Sequence, residues 1–331
     1  MIAFLLALVA GIASPMQASF NTRLREELKS PYTSALVNFC TGVITIIIIT
    51  AIVDHGLHIP LGAVAEQPLW IWLGGPSGTA IVILNVLCVP KLGAARNVML
   101  ICFGQTMTGL LIDHFGFFRA LQIPMSYIRV IGALLTLAGI ACVSGLLGAR
   151  RDKATSGIEG AACGEDAITG LAGNTGSKLL YDVLAMLCGA ACSIQVAVNG
   201  TLKQYAGSML NTTTISVTMA LITTAVITVL IILFKGTDAI WDGGADHGQP
   251  AFRWWLVTGG FLGLVVVATN AVAAPVLGTG VVTILNLVGM MGTSLIIDAE
   301  GFLGIEKQPV TAAKVLGMLL MIAGAALISL M

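Results

Sequence analysis

Long apolar runs recur along the chain near 2–22, 31–53, 70–90, 96–115 and 126–148, and again near 179–200, 209–234, 254–275, 281–299 and 311–331. A bilayer core of about 30 Å is crossed by roughly 20 residues of α-helix, so the pattern predicts ten transmembrane helices in two sets of five. The stretch 149–178 breaks the rhythm. It carries Arg150, Arg151, Asp152, Lys153, Glu159, Glu165, Asp166 and several glycines without apolar periodicity, and reads as a polar flexible linker. The predicted organisation is a five-helix repeat over 1–148, the linker over 149–178 and a second five-helix repeat over 179–331. The first run lacks the Lys/Arg-rich start of a signal peptide and reads as a retained helix.

The polar positions inside the apolar runs carry a repeat. Gly11, Gln17, Asn21 and Leu24 recur 178 residues later as Gly189, Gln195, Asn199 and Leu202. From the third helix the shift becomes 185: Gly74, Gly75, Gly78, Asn85 and Pro90 match Gly259, Gly260, Gly263, Asn270 and Pro275. Gly104, Asp113, Gly132 and Gly139 match Gly289, Asp298, Gly317 and Gly324. The change of seven residues falls in the loop after the second copy's second helix, where an insertion is tolerated. Such identity in register means duplication. Five is odd, so the second copy is expected to run inverted through the membrane, the arrangement of many secondary transporters.

Composition places these helices in lipid. The chain is 57% hydrophobic and 10% charged, against about 25% charged in a soluble protein, with mean hydropathy +0.96. Zero net charge argues against nucleic acid as a partner. The seven cysteines lack metal-ligand spacing, and buried thiols of this kind pack as small hydrophobes. Asp54, His55 and His58 read as a solvated loop, so neither metal nor cofactor is expected. Zincin, nucleophile-elbow and P-loop patterns are absent, which argues against an enzyme or an ATP-driven pump. Lys/Arg counts in the loops put both termini outside the cytoplasm.

Gln17 and Asn21, at i and i+4, share one helical face. Gln17 lies roughly 24 Å along its span at about 1.5 Å per residue, and Asn85 lies at a similar depth on a parallel helix. Inversion puts Gln195, Asn199 and Asn270 at the matching depth near the opposite face. Two such girdles suit gates or substrate contacts around a central cavity, or else interhelical hydrogen bonds that only hold the bundle. Asn38 belongs to a stripe with Ser34, Thr41 and Thr45, which either lines the cavity or bonds its own helix. Asn97, Gln105 and Asn286 have no amide counterpart in the other repeat, which makes them candidates for specificity. Asp113 and Asp298 could couple transport to an ion, or simply be solvated helix ends.

The Gly11–Gln17–Asn21–Leu24 motif, followed by Ser30-Pro31 and by Phe39 and Gly42, resembles the YdcZ-like branch of the drug/metabolite transporter superfamily in a tandem two-unit form. That resemblance implies a multi-pass permease of the inner (cytoplasmic) membrane that exports small organic molecules. Related small multidrug exporters place a proton-coupling carboxylate in the first helix, where this chain has Gln17. The family habit also implies cytoplasmic termini, opposite to the charge count. The function expected is alternating-access export of a small polar or amphiphilic metabolite through a cavity between helices one to four and six to nine. Helices five and ten would pack at the periphery on their glycine faces. The partners expected are the substrate and the bilayer; a monomer suffices, and a dimer is compatible. A passive channel and a non-transporting membrane scaffold are the alternatives.

Overall fold

The computed structural model describes residues 2–53, 55–56, 59–120, 122–143, 165–236, 253–277, 279–302, 307 and 309–329. Within helices, the backbone alone is described at 140, 141, 143, 165–178, 235, 254, 267, 268, 270–272, 274–277, 279–284 and 329.

The described chain is built of helices: α1 (Ile2–Leu28), α2 (Pro31–Val53), α3 (Gly74–Leu92), α4 (Ala94–Phe115) and α5 (Tyr127–Val143). There follow α6 (Glu165–Ala206), α7 (Met209–Lys235), α8 (Thr258–Leu277), α9 (Thr279–Glu300) and α10 (Ala312–Ser329). Six stretches among the described residues are long and apolar enough to cross a membrane: α1, α2, Leu69–Leu92, α4, Leu179–Ala206 and Met209–Phe234. Shorter apolar segments occupy Tyr127–Gly139, Trp255–Val266 and Ala312–Ile328. Helix α6 begins at Glu165, inside the stretch read from sequence as linker, while 144–164 lies outside the described residues.

Apolar and polar residues are distributed as in a protein solvated by lipid. Ile44, Ile48 and Ile52 of α2 and Leu230, Leu233 and Phe234 of α7 are exposed, whereas Asn21, Asn38, Thr79 and Thr224 are buried. Without an apolar–water contrast to drive helices together, association depends on close van der Waals approach and small residues. The repeated glycines supply that approach. A methyl group on Gly132 of α5 would sit 2.6 Å from the Gly324 carbonyl of α10, and one on Gly139 would sit 2.5 Å from that of Gly317. Increasing number on α5 meets decreasing number on α10, so these equivalent helices cross antiparallel. Gly104 of α4 abuts the Met186 backbone of α6, and in the matched crossing Gly289 of α9 abuts Leu8 and Gly11 of α1.

Polar side chains complete the joints. Thr79 Oγ1 donates to the Ala220 carbonyl of α7 at 2.9 Å and lies 3.0 Å from Thr224 Oγ1. Pro90 has no N–H to offer the Val86 carbonyl one turn back, and Arg25 of α1 donates to that oxygen at 3.1 Å. Gly93, at φ 76°, lets the chain leave α3 and enter α4 in a backbone conformation that is costly for residues with a Cβ.

Candidate functional site

A cavity of about 250 Å³ lies among α1–α4 and α6–α9. Its polar lining comes from both repeats: Gln17 and Asn21 (α1), Asn38 (α2), Asn85 (α3), Gln105 (α4), Gln195 (α6) and Asn286 (α9). Phe39, Leu264, Leu287 and Met290 supply apolar wall, and Asp, Glu, Lys, Arg and His are absent from the described lining.

The duplicated amides are seated on the duplicated glycines of the opposite repeat. Gln17 lies against Gly263 and Asn21 against Gly259 of α8; in the matched pairings Gln195 lies against Gly78 and Asn199 against Gly74 of α3. Any side chain on those glycines would displace the amides. The two motifs are therefore one device, legible in sequence because both repeat, although their pairing across the halves is not. Gln195 Nε2 also donates to the Gly74 carbonyl at 3.2 Å. Asn199, by contrast, is packed on Gly74 outside the cavity lining.

The remaining candidates divide by position. Asn97, 1% exposed, stands behind the wall and donates through Nδ2 to Asn85 Oδ1 at 2.7 Å. It fixes the Asn85 amide so that Nδ2 points to Cys188 Sγ, 3.6 Å away. Asn97→Leu should destabilise the protein by about 0.5–1.5 kcal/mol, because it removes the hydrogen bond that holds the half-buried Asn85 amide. A lowered melting midpoint in detergent is the check, and an unchanged midpoint would mean that Asn85 is not held this way. Of the α2 stripe, Asn38 reaches the cavity. Ser34 donates to the Asn21 carbonyl at 2.8 Å, while Thr41 and Thr45 bond back to their own helix. Ser14 and Cys192 also line the cavity; a single serine and a single thiol amid apolar residues gave no sequence signal. The side chain of Asn270 lies outside the described residues.

The two aspartates stand away from the cavity and are not equivalent. Asp298, read from sequence as an ion-coupling group or a solvated helix end, is buried at 0% exposure. Its carboxylate accepts from the first backbone N–H groups of α4, Ala94 at 2.7 Å and Ala95 at 3.1 Å, with Lys314 Nζ 3.5 Å away. A helix N-terminus carries unpaired N–H groups and a partial positive charge. Gly93 has no side chain to cap them, so the other repeat supplies the cap. Asp113 makes the matched ion pair with Arg129 at 3.2 Å, but its side chain is 36% exposed.

Long apolar helices thus surround a cavity whose described lining combines amides with apolar residues and carries no Asp, Glu, Lys, Arg or His. Residues 2–142 and 180–327 both match the family described as "Putative inner membrane exporter, YdcZ". The chain belongs to that family, as a multi-pass inner-membrane protein with both halves matched. No curated protein matches the chain. A solved structure titled only "Crystal structure of protein" is similar in fold, with TM-score 0.54 and 16% identity over 98% of this chain and 97% of the other.

Proposed function

We propose that the chain is a secondary transporter that exports a small polar or amphiphilic metabolite by alternating access. Its ten helices would form two inverted five-helix repeats, 1–148 and 179–331, around the cavity. The antiparallel crossing of α5 with α10 supports inversion, as do the reciprocal seatings of Gln17 on Gly263 and Gln195 on Gly78. Reciprocal contacts between like units are the signature of a two-fold relation, and exchange of roles between such units is how one cavity can open alternately to either side.

One observation carries the reading. Gln17, Asn21, Asn38 and Gln105 line the cavity without a side-chain hydrogen bond to any described residue. An unpaired buried polar group costs about 1–3 kcal/mol, and amides kept only to hold helices together would be bonded across helices. Gln195 and Asn97 do make such bonds, so the scaffold reading describes part of the set but not these four. The small solutes of cells and medium should be compared between deletion and overexpression strains, and again with Gln17→Leu. The variant should reach normal membrane abundance yet lose at least tenfold of the export. Equal solute profiles in all strains would overturn transport. Flux that never saturates or concentrates would indicate a channel, and loss of the protein itself would favour the scaffold.

A further inference from the structure

We infer that the ligand of the cavity is an uncharged, hydroxyl-rich molecule on the order of a dozen non-hydrogen atoms, sized like a pentitol or hexitol; its physiological use rests on the transport reading above, its binding does not.

Charge is the first constraint. The described lining holds no ionisable side chain other than the Cys192 thiol. Charged side chains of the surrounding helices are engaged away from it: Asp298 with the start of α4 and Lys314, Arg25 with the Val86 carbonyl, Arg96 with Asp182 at 2.6 Å. An ion entering such a site leaves water without meeting an opposite charge, at a cost of several kcal/mol. This disfavours organic cations and carboxylates alike.

Hydrogen-bond polarity is the second. Gln17 and Gln105 are half-buried, and neither side chain has a hydrogen-bond partner among the described residues, so each offers the cavity both an acceptor oxygen and an NH2. Asn21 and Asn38 turn their Oδ1 atoms into the protein, where these are shielded from solvent, and leave Nδ2 for the cavity. The site therefore presents several donors and fewer acceptors, all neutral. A hydroxyl both gives and accepts a hydrogen bond, whereas an ammonium only gives and a carboxylate only accepts. A chain or ring of hydroxyls satisfies such a mixed lining most completely, and its C–H faces fit the apolar wall of Phe39, Leu264 and Met290.

Size is the third. A volume of about 250 Å³ corresponds to roughly eight waters at about 30 Å³ each in the liquid, or to on the order of a dozen more tightly packed covalently joined atoms.

The test uses the full-length protein purified in detergent and, separately, in vesicles of phosphatidylethanolamine and phosphatidylglycerol. Radiolabelled sorbitol and xylitol are measured by equilibrium dialysis, with tetraphenylphosphonium and succinate as charged probes. Gln105→Met is the variant of choice, because Met290 occupies the matched position in the other repeat and the two side chains have similar shape. Saturable binding of at least one polyol, weakened tenfold or more by Gln105→Met and by Asn38→Leu, is the expected result. Failure of both polyols to bind overturns the inference, as does binding of a charged probe in their place. Vesicle efflux then separates the two claims. Polyol binding without efflux leaves the site standing and removes transport, whereas efflux of a charged probe alone leaves transport standing and removes the site.

Discussion

Replacing Asp298 with Ala is expected to destabilise the protein by about 3–5 kcal/mol, the range for removing one partner of a buried, hydrogen-bonded charge pair. Three losses coincide. The Ala94 and Ala95 N–H groups lose the carboxylate that accepts from both, α4 loses the negative charge at its positive end, and Lys314, 15% exposed, is left without its counter-charge. The substitutions that follow separate these effects. Asp298→Asn keeps an acceptor for the helix end but still strands Lys314, so it should fall between Ala and the wild type. Asp298→Asn combined with Lys314→Met removes both charges while keeping the cap, and should recover most of the stability, since replacing a whole buried ion pair is often near neutral. Melting midpoints of the four proteins in one detergent give the comparison. A double variant no better than Asp298→Asn would show that the loss of the carboxylate at the start of α4, rather than the stranded Lys314 charge, carries the cost. An Asp298→Ala protein as stable as wild type would refute the role altogether.

That role bears on what could be read from sequence. The 185-residue shift pairs Asp113 with Asp298 and Arg129 with Lys314, and the structure makes both ion pairs. From sequence both aspartates read either as ion-coupling groups or as solvated helix ends, and not as a buried cap, because position along a span reports depth along the helix and not what packs beside it. Burial of Asp298 depends on the approach of α4 from the other repeat, 203 residues away in the bond to Ala95. The amide motif shows the same boundary. Periodicity placed Gln17 and Asn21 on one face, and the repeat showed that Gln195 and Asn199 share the arrangement. Only the packing reveals that Asn199 is set against Gly74 outside the cavity while Asn21 reaches it. A duplicated sequence predicts matched surroundings, and the site lies partly where the surroundings fail to match. Gln105 facing the cavity alongside Met290 is the plainest case. The glycines were legible as close-packing positions, but not which backbone each would meet.

A single added methyl group should therefore act with opposite signs at two glycines of the same helix. Gly to Ala in a helix interior ordinarily stabilises by about 0.5–1 kcal/mol, because Ala gives up less backbone freedom on folding. At Gly200 of α6 nothing lies within 4 Å of the added carbon, and Gly200→Ala should show that full gain. At Gly189, eleven residues earlier in α6, the added carbon meets the Ile101 carbonyl and lies 2.6 Å from the Gln105 backbone nitrogen. Both obstacles are main chain of α4, so no side-chain rotation relieves them and the helices must separate. Overpacking of this kind costs about 1–3 kcal/mol, which outweighs the propensity gain. The damage should also reach function, because the same crossing carries the 2.5 Å bond from Ser193 Oγ to the Gln105 carbonyl and sets where the Gln105 amide stands in the cavity. Gly189→Ala should thus lower both the melting midpoint and export, while Gly200→Ala raises the first and leaves the second alone. If both variants stabilise the protein, α4 and α6 are not in backbone contact at this point, and the close crossing that frames the cavity is wrong.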